Sequence, residues 1–168
     1  MATDTENNYV ERKTVSDKAG WLRTAVAFAN SAPIGAPAVL FVGMNNDGTF
    51  QQVVADHDWE KQQKTVSQEL NRAYPPIFSV FKIVRDNDTG QCLAVIIPGS
   101  AERPHFTGKS YVRLGPETQE ASENQFNTLI AERSNKAYRI MEWIGRQVST
   151  AWFEHGMLAP HPATPEGL

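Results

Sequence analysis

Cysteine is nearly absent: Cys92 stands alone among 168 residues. One thiol excludes an internal disulfide and every multi-cysteine zinc site, so nothing argues for an oxidising compartment. No stretch approaches the roughly 18 continuous apolar residues of a membrane span. A positive balance is missing as well, since 16 Lys and Arg face 19 Asp and Glu for a net charge of −3. Strong non-specific nucleic-acid binders carry a basic domain, so a nucleic acid would have to be met here by a local patch. The histidines, His57, His105, His155 and His161, are scattered without metal-ligand spacing. The opening Met1 to Tyr9 is polar and acidic, unlike a cleaved secretory signal. These absences predict a soluble, cytoplasmic domain with no membrane partner.

What remains is a chain of one-domain length that is 40% hydrophobic, too apolar for an intrinsically disordered segment. Tyr9 to Val15 alternates as a short strand, with Val10 on one face and Glu11 and Lys13 on the other. Ser16 or Asp17 can cap a helix carrying Trp21, Leu22, Ala25, Val26, Phe28 and Ala29, which stops before Pro33. Ala38 to Met44 is a continuous apolar run, the best central strand, and Asn45-Asn46-Asp47-Gly48 is a turn leading to a return strand over Thr49 to Val54. Asp56 or Asp58 opens a second helix to about Ala73. Phe78–Val84 and Cys92–Ile97 form a hairpin across Asp86–Gly90. Ser110–Leu114 is a further strand. Ser122 with Gln125 is a capping box that starts a helix. A long last helix is expected from about Lys136 to Phe153, followed by a disordered, proline-bearing tail over 156–168. The class is α+β, a single mixed or mainly antiparallel sheet packed against helices.

Two clusters could carry chemistry. Glu11 and Lys13 project from one strand face; a carboxylate can hold a divalent ion and an ammonium can stabilise charge on a phosphate oxygen. Glu6 could add a second carboxylate, and the Asn45–Asp47 turn a third ligand. The plainer alternative is a solvated edge strand of self-neutralising charges. In the second cluster, Lys109, Tyr111 and Arg113 alternate along a strand. Cations flanking an aromatic ring suit a nucleic-acid backbone with a base stacked between them. The alternative there is that Tyr111 covers core and the cations pair with Glu117 or Glu120. The glycines around Met44–Asp47 match neither a phosphate-loop nor a dinucleotide fingerprint.

The succession of motifs resembles the Schlafen AlbA-2 domain family. The residues that carry it are Glu6, Glu11-Arg12-Lys13, Ala27-Phe28-Ala29-Asn30, Leu40 to Gly48, Tyr74-Pro75-Pro76, Ile97-Pro98-Gly99-Ser100 and Tyr111-Val112-Arg113-Leu114-Gly115. The resemblance implies an AlbA-2-like domain over 9–133, after a flexible N-terminus at 1–8 and before the C-terminal helix placed at 134–155. It implies nucleic-acid binding, with RNA the expected ligand. In nuclease members three acidic residues form a metal-dependent site. Here the first two positions are Glu6 and Glu11, and the third falls on Asn46 with Asp47 adjacent. The enzymatic form is thus a divalent-metal-dependent endoribonuclease in which Glu6, Glu11 and Asp47 hold Mg²⁺ or Mn²⁺ and Lys13 stabilises developing charge. Arg12, Lys109, Tyr111 and Arg113 would position the RNA. Since nuclease members clamp RNA between two related lobes, the resemblance also implies a homodimer. A non-catalytic regulatory module with a protein partner, such as a subunit of a prokaryotic or phage defence system, stands as the alternative.

Overall fold

A computed structural model describes residues 8–51, 57–86, 90–141, 152–154 and 157–159. The first compact unit, Met1–Arg133, holds the candidate residues.

Its centre is a four-stranded sheet of β1 (Val10–Lys13), β2 (Pro37–Val42), β4 (Gly90–Pro98) and β3 (Val80–Asp86), in that spatial order. β1 runs parallel to β2, with Glu11 opposite Leu40 and Lys13 opposite Val42. β2 and β3 both pair antiparallel with β4. The sheet is therefore mixed. The apolar runs read as β2 and β4 occupy its two inner positions.

The parallel step from β1 to β2 requires a crossover, and α1 (Lys18–Ser31) supplies it. Asp17 Oδ1 accepts the Gly20 amide at 2.9 Å and so caps a free donor of the first turn. From Gly20 to Asn30 every residue except Arg23 is buried. Such all-round burial marks a central helix. One side packs on Leu40, Val42, Val95 and Ile97 of the sheet and on Val66 and Leu70 of α2 (Trp59–Leu70). The other side lies under β5 (Tyr111–Leu114), which forms a separate hairpin with β6 (Glu117–Glu120). Asp58 caps α2, its Oδ1 accepting the Lys61 amide at 2.8 Å.

At the end of β2 the chain turns through Gly43 at φ 96°, where a Cβ would stand 2.7 Å from the Trp59 ring. Only glycine takes that backbone without strain and leaves room for the indole. Phe50 then bridges Met44, and the Gln51 amide donates to the Gly43 carbonyl. The rest of the expected return strand, 52–54, lies outside the described residues.

Three features differ from the sequence reading. β6 was not expected, because Glu-Thr-Gln-Glu has no apolar alternation. A single helix, α3 (Glu123–Met141), replaces the end of one helix and the start of another; no glycine or proline interrupts that span. In the second unit, Ser134–Leu168, Trp152–Glu154 is a strand, β7, instead of the end of a helix. It pairs with β8 (Met157–Ala159), which falls in the stretch expected to be a disordered tail. Aromatic residues beside Gly156 favour a hairpin over another helical turn.

Candidate functional site

Period-two alternation on β1 turns Glu11 and Lys13 to the same side. Lys13 Nζ lies 2.7 Å from Glu11 Oε1. The other oxygen, Oε2, accepts Arg113 Nη1 at 2.6 Å across 102 positions of sequence. Each carboxylate oxygen thus faces its own cation.

Arg113 is held on several sides. Nη1 also donates to Thr118 Oγ1 of β6 at 2.9 Å, and its backbone amide donates to Ser31 Oγ at 2.8 Å. The guanidinium carbon sits 5.1 Å from the centroid of the Phe28 ring. A planar cation over an aromatic face and against a carboxylate is a favourable use of arginine that lysine would not reproduce. The Arg113 side chain is only 1% exposed, whereas Lys13 is 26% exposed. The buried cation works from inside the protein, and the half-buried one reaches solvent.

Lys13 and Glu11 open on a cavity of about 400 Å³, walled also by Arg23, Asn46, Tyr111 and Glu117. Gly20 and Thr24 of the first turns of α1 and Thr118 of β6 complete it. Two cations and two carboxylates line the wall. Arg113 behind Glu11 tips the local balance to one net positive charge, in a chain that is negative overall.

The 103–111 segment is fastened to α1 from behind the cavity. Asn30 Nδ2 donates to the His105 carbonyl at 2.9 Å, Ser110 Oγ at 3.1 Å and the Tyr111 carbonyl at 2.9 Å. Asn30 Oδ1 accepts the His105 amide at 2.7 Å. Arg103 Nη1 donates to the Asn30 carbonyl at 3.0 Å at the C-terminal end of α1, and its Nη2 pairs with Glu132 at 2.9 Å. Cations at a helix C-terminus satisfy carbonyls that lack intrahelical partners. This clamp holds Tyr111 and Arg113 in place.

The other candidates lie elsewhere. Asp47 Oδ1 accepts both the amide and the hydroxyl of Thr49, at 2.9 and 2.6 Å. Those bonds, with help from Arg12, hold its exposed carboxyl below the usual range. Asn46 lines the cavity and Asp47 does not. Arg12 is buried beneath that turn, near Gly48. Lys109 pairs with Glu120 at 2.7 Å on the surface, and that carboxylate raises its pKa. Glu6 lies outside the described residues.

Among the described residues no three of His, Cys, Asp or Glu gather as a metal donor set. A hard divalent ion takes several oxygen ligands. Glu11 offers the cavity one carboxylate whose two oxygens both face cations, and Asn46 offers an amide. Of the expected ligand positions, Glu11 and Asn46 line the cavity, Asp47 does not, and Glu6 lies outside the described residues.

Sequence reasoning missed Arg23 and Thr118; it singled out Arg103 beside the Lys109–Arg113 strand and Asn30 in a motif, but not the clamp they form. Arg23 had a signal, as the single charge inside an otherwise apolar helix. Asn30 had one too, as the amide that closes the apolar run. Thr118 had none.

No helix among the described residues is long and apolar enough to cross a membrane. No curated protein matches the chain. Solved structures similar to it include two from bacteria. The DIP2311 protein from Corynebacterium diphtheriae is 16% identical with a TM-score of 0.48, covering 71% of this chain and 26% of that one. The chain therefore spans about a quarter of that protein's length. The other is the N-terminal domain of a protein from Nitrosomonas europaea described as related to the ATP-dependent DNA helicase RecG. It is 21% identical with a TM-score of 0.49, covering 72% of this chain and 87% of that one. A family model described as Schlafen, AlbA_2 matches residues 6–122, which hold the sheet, the central helix and the β5–β6 hairpin that together wall the cavity. The chain belongs to the Schlafen AlbA_2 family.

Proposed function

We propose that this domain binds single-stranded nucleic acid, RNA before DNA, in the cavity between β1, the first turns of α1 and the β5–β6 hairpin. The observation that carries the reading is that Lys13, Glu11 and Tyr111 line one cavity, with Arg113 buried behind Glu11. An ammonium near an aromatic ring meets the two constant features of a single strand, a phosphate and a base face. Arg23 adds a second exposed cation to the same wall. The preference for RNA rests on the resemblance to the Schlafen AlbA-2 domain.

A fluorescent single-stranded RNA decamer tests it. Binding by the wild type, weakened about tenfold or more by Lys13→Gln together with Arg23→Gln, supports the proposal, with affinity falling as salt rises. Equal binding by the double variant would move the interface elsewhere. Incubation of total tRNA with Mn²⁺ beside a Glu11→Ala control reads the enzymatic alternative. Cleavage abolished by that substitution would make the domain an endoribonuclease, and retention without cleavage leaves a binding module.

A further inference from the structure

We infer that Lys13 Nζ receives a phosphate oxyanion directly, without a divalent ion, and that Glu11 is a positioning residue that aims the ammonium. This rests on the reading of the cavity as the nucleic-acid site, and it inverts the role that an acidic residue at Glu11 would have in a metal-dependent nuclease.

The Glu11 carboxylate holds two cations. Arg113 takes one oxygen and Lys13 the other. A divalent ion entering at Glu11 would be repelled by two cations already held there at 2.7 and 2.6 Å, one of them buried against Phe28. An anion meets no such obstacle. Glu11 engages one of the three ammonium protons of Lys13, and the group still reaches the cavity. Glu11, Lys13 and Arg113 together carry one positive charge, which an arriving phosphate oxygen complements. The carboxylate fixes the long lysine stem in one geometry, so less side-chain freedom is lost on binding. Its own negative charge opposes the ligand. Glu11→Gln removes the charge and keeps one oxygen, which can accept from Lys13 or from Arg113 but not from both as the carboxylate does, so any tightening it gives is a lower bound on what the charge costs.

The test titrates the full chain with the RNA decamer in EDTA and again in Mn²⁺. It adds inorganic pyrophosphate in EDTA, followed by the backbone amide resonances of Lys13, Gly20 and Asn46. The expected result is RNA binding of equal strength in both buffers. Glu11→Gln should bind about threefold to tenfold more tightly in EDTA, with the log–log salt slope steeper by about 0.7. Lys13→Gln should weaken binding and flatten the slope, and Lys13→Arg should restore it. RNA binding that needs Mn²⁺ and is lost in Glu11→Gln overturns the inference and leaves the proposed function standing. No RNA binding, with pyrophosphate still shifting those resonances and more so in Glu11→Gln, overturns the proposed function and keeps the oxyanion site. Silence in both titrations overturns both. Should Glu11→Gln fail to fold, the Lys13 pair decides: equal RNA and pyrophosphate binding by Lys13→Gln and wild type overturns the inference.

Discussion

Glu11 on the first strand and Arg113 on a separate hairpin meet at 2.6 Å, joining the edge of the main sheet to the cover over the central helix. A buried pair of this kind is costly to break from one side, because the remaining charge loses its partner in a poorly solvated place. We expect Arg113→Met to lower stability by about 3–5 kcal/mol in urea unfolding. Arg113→Lys should recover little, since an ammonium cannot serve Glu11 and Thr118 together while lying flat on Phe28. Full recovery by lysine would show that charge alone matters.

Asn30 uses all of its side-chain hydrogen-bonding groups on the 105–111 segment. Asn30→Ala leaves the buried His105 amide without its partner and its carbonyl with Ser110 Oγ alone, and a loss of about 3 kcal/mol is expected. Asn30→Asp keeps the acceptor for the His105 amide but loses the donors, so it should fare no better. Thermal denaturation of both variants checks this.

His105 carries a pH dependence. Its ring is buried, which lowers its pKa, while the hydrogen bond between Nδ1 and the Pro75 carbonyl at 2.7 Å works the other way. The folded state therefore prefers the neutral ring, and the unfolded chain takes up a proton first. The stability this group contributes is present above the unfolded value of about 6.5 and is lost as pH falls through the depressed folded value. The difference in Tm between wild type and His105→Gln should shrink between pH 7.5 and pH 5. A constant difference would count against it.

Cys92 lies in the inner strand β4, where burial pushes its thiol up to about 11. The thiolate is the reactive form. Native protein should resist iodoacetamide at pH 8 for hours, and unfolded protein should be alkylated within minutes, as read by mass spectrometry.

Gly99 answers to sterics instead. A Cβ there would fall inside the carbonyl oxygens of Ala32 and Pro33, backbone atoms that cannot step aside cheaply. Gly99→Ala should cost about 3 kcal/mol, measurable as a shift in the urea midpoint.

How far the sequence foretold this site depends on the range of each contact. That Glu11 and Lys13 share a face follows from strand periodicity, and the helix cap at Asp17 follows from local chemistry. The partner of Glu11 was out of reach, because it arrives from a hairpin whose second strand has no apolar pattern. Of the two readings of the second cluster, Lys109 beside Tyr111 and Arg113 or a cation paired with Glu120 while Tyr111 covers core, the second holds for Lys109 and Tyr111. The strand begins at Tyr111, and a turn through Gly108 at φ 75° sends the lysine to Glu120. The Asn45–Gly48 turn was legible as a turn. Which of its side chains faces the cavity was decided by Thr49, whose amide and hydroxyl claim Asp47.

The parallel pairing of β1 with β2 has a consequence for how the molecule is made. The strand bearing Glu11 is made before β2 yet can dock only after the crossover helix and β2 have followed. Its carboxylate then waits for residue 113 to leave the ribosome. Any chain cut short of the hairpin exposes a negative edge beside Phe28 where the finished protein keeps a guanidinium, so a minimal fragment must run through Glu120.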